Sequence, residues 1–200
     1  MSAEPIATPS SPWRPDPLRQ QRADHMVEEL LTLPPDAPRV ELVDGIIHVT
    51  PLPTLHHQDI AGLLTWWLRS HAPAYLRATQ AVSIGLDVDA SRRPDVLLHH
   101  AGLPIDRFLL RPVDVVLAVE IVSPGTRRVD RFAKPGEYAA AGIPFYWRIE
   151  QDPVHLYAYR LGDRIGPGGE RQYELVDDSS EVIELSEPFA IKLPIAEIRP

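Results

Sequence analysis

From Val115 to Val122 the chain reads Val-Val-Leu-Ala-Val-Glu-Ile-Val, and Glu120 is the one polar residue in it. An apolar, β-branched run of this kind predicts a strand within Val113–Val122 that lies at the centre of a sheet and is covered on both faces. The carboxylate is the constraint on everything else. An ionised group buried without a partner costs several kcal/mol even after relaxation, so Glu120 requires a metal ion or a cationic side chain, unless it sits at a strand end in water.

A second acid, Asp95, follows Pro94 and opens the run Val96-Leu97-Leu98. Taken alone, Pro-Asp is an ordinary turn into a strand. Paired with Glu120 it acquires chemistry, because carboxylates at the ends of two neighbouring central strands suit one hard cation such as Mg²⁺. Lys134 joins them by its rarity. Of 20 basic residues only Lys134 and Lys192 are lysines. A lysine can deprotonate a water as the neutral amine, or as a compact ammonium orient one and offset phosphorane charge, in ways a planar, permanently charged guanidinium does not. A solvated lysine at a helix start fits the sequence equally well.

Around these residues the hydrophobic pattern predicts an α+β (mixed α/β) chain. A Pro- and Ser-rich leader over 1–22 is followed by one domain over 23–200. A short amphipathic helix is expected over Asp24–Leu33. Next comes a hairpin, Val40–Val43 and Ile46–Thr50, about the turn dipeptide Asp44-Gly45. Helical spacing of Ile60, Leu63, Leu64, Trp67 and Leu68 predicts a long helix over Thr54–His71, packed on one face of the sheet. Strands follow within Tyr75–Val88, at Pro94–Leu98 and in the apolar run, then a short helix near Pro135–Gly142 and a strand at Ile143–Glu150. Val154–Tyr159 and Gln172–Val176 flank the glycine-rich 166–169 and extend the sheet as an antiparallel meander. From Ile183 on, short edge elements are expected.

The formal charge of −8 argues against a polyanion partner, since phosphate binding ordinarily leaves a basic footprint. Metal-binding carboxylates inflate that number, and a local basic rim remains open: Arg127, Arg128 and Arg131 follow Ser123-Pro124-Gly125-Thr126 just beyond Glu120. An ordinary solvated loop explains the same residues. His57, at the head of the long helix, suits a phosphate contact, a hold on a ligand water, or simple capping. Asp130 either orients Lys134 or caps a helix. Cysteine is absent, no apolar run is long enough to span a bilayer, and the N-terminus lacks the pattern of a secretory signal. A cytoplasmic location is the resulting expectation.

The ordered set Glu41-Leu42-Val43-Asp44-Gly45, His57-Gln58, Pro94-Asp95-Val96, Val119-Glu120-Ile121-Val122-Ser123-Pro124, Asp130, Lys134, Tyr138, Gly142 and Tyr146-Trp147 resembles the Uma2 family, over nearly the whole chain from about residue 24. That family is similar to the PD-(D/E)xK nuclease superfamily. The resemblance implies a restriction-endonuclease-like curved mixed sheet and Mg²⁺ (or Mn²⁺) held by Asp95 and Glu120, with Ile121 in the ligand set. Glu41 is implied as a further acid at the site; an exposed hairpin carboxylate is the alternative. In the superfamily pattern a lysine stands two residues after the second acid, where this chain has Val122. The resemblance implies that Lys134 takes its place from the following helix, although Pro135-Gly136 directly after it suggests a later helix start.

The expectation is a metal-dependent endonuclease acting on nucleic acid, DNA in particular, with Asp95, Glu120, Lys134 and Glu41 in the catalytic cluster. Two alternatives stay open. One is a non-catalytic nucleic-acid- or metal-binding module on the same fold. The other is a homodimeric interaction protein in which Tyr138, Tyr146 and Trp147 build the subunit contact.

Overall fold

A computed structural model describes residues 22–200 except 35, 126, 167, 168 and 170. The leader expected over 1–22 therefore lies, but for Arg22, outside the described residues.

The apolar run forms β8 (Val115–Ile121), every residue of it buried. It is an inner strand of a six-stranded mixed sheet ordered β11 (Arg171–Ser179), β10 (Val154–Ile165), β9 (Phe145–Gln151), β8, β6 (Val96–His100), β3 (Leu76–Gln80). Pairing is antiparallel except between β8 and β9. The crossover that joins this parallel pair carries α2 (Lys134–Ala140), as a parallel connection requires.

Alternation along β8 divides its side chains between two cores. Leu117, Val119 and Ile121 point into a cluster with Ile60, Leu64, Trp67 and Leu68 of α1 (Leu55–His71). Thr54 caps α1, its hydroxyl accepting from the His57 N–H at 3.3 Å. Ala118 points the other way, toward Tyr138 of α2, Tyr146 and Ile84. That face meets a second, five-stranded sheet ordered β2 (Ile46–Val49), β1 (Val40–Val43), β5 (Ala90–Arg92), β4 (Ser83–Asp87), β7 (Leu109–Leu110). The hairpin turn has φ of 48° at Asp44 and 71° at Gly45, both left-handed, which matches the twist of a two-residue hairpin.

Several segments fold otherwise than their sequence suggests. The segment after Asp24 is a 3₁₀ helix, Val27–Thr32, that buries only Val27, so its apolar residues do not make a helical face. Leu63 lies at the solvent side of α1. The chain through Tyr75–Val88 splits into β3 and β4, which enter different sheets, and β5 arises from a sequence with no strand pattern. The C-terminal elements are not sheet edges: β12 (Val182–Leu185) and β13 (Ile191–Pro194) pair only with each other and, with a 3₁₀ turn at Ile195–Ile198, close the α1 core through Ile183, Leu193 and Ile198. Helix α2 begins at Lys134 itself, because a π-helical turn over Val129–Ala133 feeds into it and the Lys134 N–H bonds the Val129 carbonyl. Pro135 occupies the first turn, where its missing N–H is harmless.

Gly45 is held by more than its turn. A Cβ there would sit 2.5 Å from the Ala23 carbonyl oxygen. Gly45→Ala is therefore expected to destabilise the protein by at least 1 kcal/mol in urea denaturation, through the φ penalty and the clash together.

Candidate active site

Glu120 shares the sheet face of Ala118, and Asp95 precedes β6 on the neighbouring strand. Asp95 brackets Glu120 on β8. Its N–H donates to the Val119 carbonyl at 3.0 Å, and its Oδ2 accepts the Ile121 N–H at 2.8 Å. The two acids thus stand on adjacent strands and line one cleft of about 590 Å³, together with Glu41, His57, Arg92, Lys134 and Glu137.

Within the cleft the side chains form a buried ionic network. Lys134 Nζ lies 2.8 Å from Glu120 Oε2, 3.1 Å from Asp130 Oδ1 and 3.4 Å from Glu41 Oε1. Glu120 Oε1 accepts from the Tyr138 hydroxyl at 2.6 Å. Arg92 bridges Glu41, at 2.9 Å, and Glu137, to which it donates twice. The Arg93 N–H adds 3.2 Å to Glu41 Oε1. His57 Nε2 faces Asp95 Oδ2 at 3.1 Å, which assigns the proton to Nε2. Its Nδ1 is buried without a hydrogen-bond partner among the described residues, and a lone pair is the less costly atom to leave so.

Burial pushes the Glu120 carboxyl well above its usual range; the Lys134 ammonium opposes this, while Asp95, Asp130 and Glu41 add to it. Burial also works against the charge on Lys134, but Glu120, Glu41 and Asp130 outweigh it and hold the ammonium firmly protonated. Tyr138 is pushed up by burial first and by Glu120 second, so it stays a neutral hydroxyl donor. Charge adds to burial: among the described residues the cleft is lined by five carboxylates, those of Glu41, Asp95, Glu120, Asp130 and Glu137, against four fixed cations, Arg39, Arg92, Arg93 and Lys134.

The sequence candidates divide accordingly. Asp95, Glu120, Lys134, Glu41, His57 and Asp130 come together. Glu41 is not an exposed hairpin carboxylate, being 6% exposed and fully paired. Asp130 contacts Lys134 rather than capping a helix, and His57 leaves the capping to Thr54. The side chain of Ile121 points into the α1 core, so a backbone carbonyl is all it has to offer a metal. Arg127 and Arg128 are exposed beside the cleft, whereas Arg131 forms a two-pronged pair with Glu150 at 2.9 Å. Sequence reasoning missed Arg92 and Glu137. Their signal was slight: Arg92 lies three residues before Asp95, and Glu137 three after Lys134, one helical turn along. Tyr138, Tyr146 and Trp147 are at most 1% exposed, so the homodimer contact imagined for them is overturned.

Among the described residues no group of three or more His, Asp or Glu is arranged as a ready metal site. The donor set nonetheless suits a hard divalent cation: oxygen ligands, an excess of carboxylate over cationic charge, and an opening to solvent on one side.

The fold and this acid–lysine cleft define a chain of restriction-endonuclease-like architecture. A solved structure with the same fold, described as "a putative nuclease belonging to DUF820 from Anabaena variabilis", matches with a TM-score of 0.65 at 20% identity, over 86% of this chain and 96% of that one. No curated protein matches the sequence. Residues 27–196 match the family model Uma2, described as "Putative restriction endonuclease", and the chain belongs to that family.

Two outcomes test the network. Lys134→Met leaves three buried carboxylates without their ammonium and is expected to cost about 3–5 kcal/mol in chemical denaturation. Glu120→Gln should act in the opposite sense. A folded pKa above the unfolded value near 4.5 means that the contribution of Glu120 is fullest below that pH and is lost as pH rises toward the folded value. The melting temperature of Glu120→Gln relative to the parent, measured with EDTA, should therefore climb between pH 4.5 and 7; a gap that narrows would contradict the burial argument.

Proposed function

We propose that the protein is a divalent-metal-dependent endonuclease that hydrolyses phosphodiester bonds, DNA being the favoured substrate, and that it works in the cytoplasm. The reading is carried by one observation: the single buried lysine, supplied by a helix 14 residues downstream, places its ammonium 2.8 Å from the acid embedded in β8. A structural ion pair needs neither a cleft of this size nor a second carboxylate on the adjacent strand.

Asp95 and Glu120 would hold Mg²⁺ (or Mn²⁺), with the Ile121 carbonyl as a third protein oxygen; the ion supplies charge neutralisation at the phosphoryl group and an acidified water. Lys134 remains an ammonium under the pull of three carboxylates, so its part is donation and charge stabilisation at a phosphoryl oxygen, not proton abstraction. Asp130 and Glu41 position Lys134. Arg92 fixes Glu41 against α2 through Glu137. His57 orients Asp95, leaving its Oδ1 for the ion. Arg127 and Arg128, exposed at the rim, suit phosphate contacts.

A second reading has its own support. Both oxygens of Glu120 are already occupied, by Lys134 and Tyr138, and the chain carries a formal charge of −8. A non-catalytic module with the same fold would look like this. Supercoiled plasmid incubated with Mg²⁺ or Mn²⁺ separates the two readings. Metal-dependent nicking by the parent, lowered at least 100-fold in Glu120→Ala and in Lys134→Met, is expected; equal cleavage by all three, or none by any, removes the enzymatic reading.

A further inference from the structure

The sheet face that bears Glu120 continues past it. Register sets Glu120 opposite Arg148 on β9, and Arg148 opposite Tyr157 on β10, so the three side chains form one row on one face. The Arg148 guanidinium lies 4.2 Å from the centre of the Tyr157 ring and 5.9 Å from that of Tyr159. Its Nε is buried without a hydrogen-bond partner among the described residues, 3.4 Å from a Glu150 oxygen.

Beside this row runs a groove of about 500 Å³. The segment from Val129 to Ala140 separates it from the acidic cleft, turning Asp130, Lys134 and Glu137 to the cleft and Arg131, Phe132 and Pro135 to the groove. Among the described residues three guanidinium groups, those of Arg131, Arg148 and Arg171, line it, and no carboxylate does. Glu150 pairs with Arg131 and Arg148, and Asp163 approaches Arg171 at 3.4 Å, so among the described residues positive charge remains in excess. Tyr159 and Tyr173 give it aromatic walls. At its edge the Phe132 ring is 76% exposed, an apolar face that no packing explains.

Guanidinium and exposed aromatic groups together are the chemistry of an unpaired nucleic-acid strand, where arginines track phosphates and rings stack on bases. A duplex hides its base faces and gains nothing from Phe132. Five carboxylates against four cationic side chains leave the cleft no positive surplus with which to hold a polyanion, so a strand brought to it gains from a cationic anchor close by. We propose that this groove binds an unpaired stretch of the nucleic-acid strand next to the reactive phosphodiester, with phosphates on Arg148 and Arg171 and a base against Phe132 and Tyr159. The inference rests on the nuclease reading of the adjacent cleft.

Fluorescence anisotropy with a labelled single-stranded oligonucleotide and with its duplex, in EDTA across a salt series, tests it on the full chain. Phe132→Ala and Arg171→Gln lie outside the buried ion network, and Lys192→Gln removes a charge from the β12–β13 ribbon as a control. Thermal melts establish that all three are folded. Phe132→Ala should weaken single-strand binding roughly tenfold, and Arg171→Gln should reduce the salt slope by about one. Binding by both groove variants that matches Lys192→Gln overturns the proposal, as does a duplex bound as tightly as the single strand and weakened as much by Phe132→Ala. Groove-dependent binding without metal-dependent cleavage would sink the nuclease reading and leave the groove standing. Cleavage by a protein whose binding ignores the groove would do the reverse.

Discussion

The contact between Lys134 and Glu120 organises the molecule. A glutamate near the end of a fully buried strand is tolerable only if a cation reaches it, and the ammonium arrives from the crossover that joins β8 to β9. That crossover must return over the sheet face that Glu120 occupies. The π-helical turn before α2 sets Asp130 beside Lys134, and Tyr138 closes the other side of the carboxylate. Replacing the pair by apolar residues would build a sheet as stable or more so, which makes its presence an argument for chemistry rather than for folding.

Charge is distributed with the same economy. Among the described residues the cleft gathers five carboxylates against four cationic side chains, Arg39, Arg92, Arg93 and Lys134, a balance with room for a divalent ion and no positive surplus for a phosphate. Arginines stand on the far side of the same helical segment. A net charge of −8 therefore says little about what this surface attracts, because opposite potentials lie a few residues apart along Asp130, Arg131 and Lys134. The second sheet contributes by holding Glu41 and Arg92 over the cleft, a role its short strands serve without forming a large core.

Much of the fold was legible in the sequence. Periodicity gave α1, Asp44-Gly45 gave the hairpin, and the apolar run gave the central strand. The acid pair was visible because a carboxylate among β-branched residues contradicts its surroundings. The rest failed for physical reasons. Ala90–Arg92 carries no alternation, since its burial comes from the salt bridges of Arg92 and the hydrogen bond that Ser91 accepts from the Leu42 N–H, and not from apolar faces. Arg92 is of a type found mostly at surfaces, so its burial between Glu41 and Glu137 leaves no compositional mark. Tyr138 and Tyr146 were visible as aromatics, but whether an aromatic faces solvent or core depends on what packs above it.

By itself, then, the sequence determined the local elements and the energetic anomaly at Glu120, because backbone propensity and the cost of burying charge act on neighbours along the chain. Which cation answers that charge was decided only in three dimensions. Lys134, Glu41, Glu120 and Asp130 are brought within a few ångströms by strand order and by the path of one crossover, and distances of that kind are a property of the packed sheet and not of any stretch of residues.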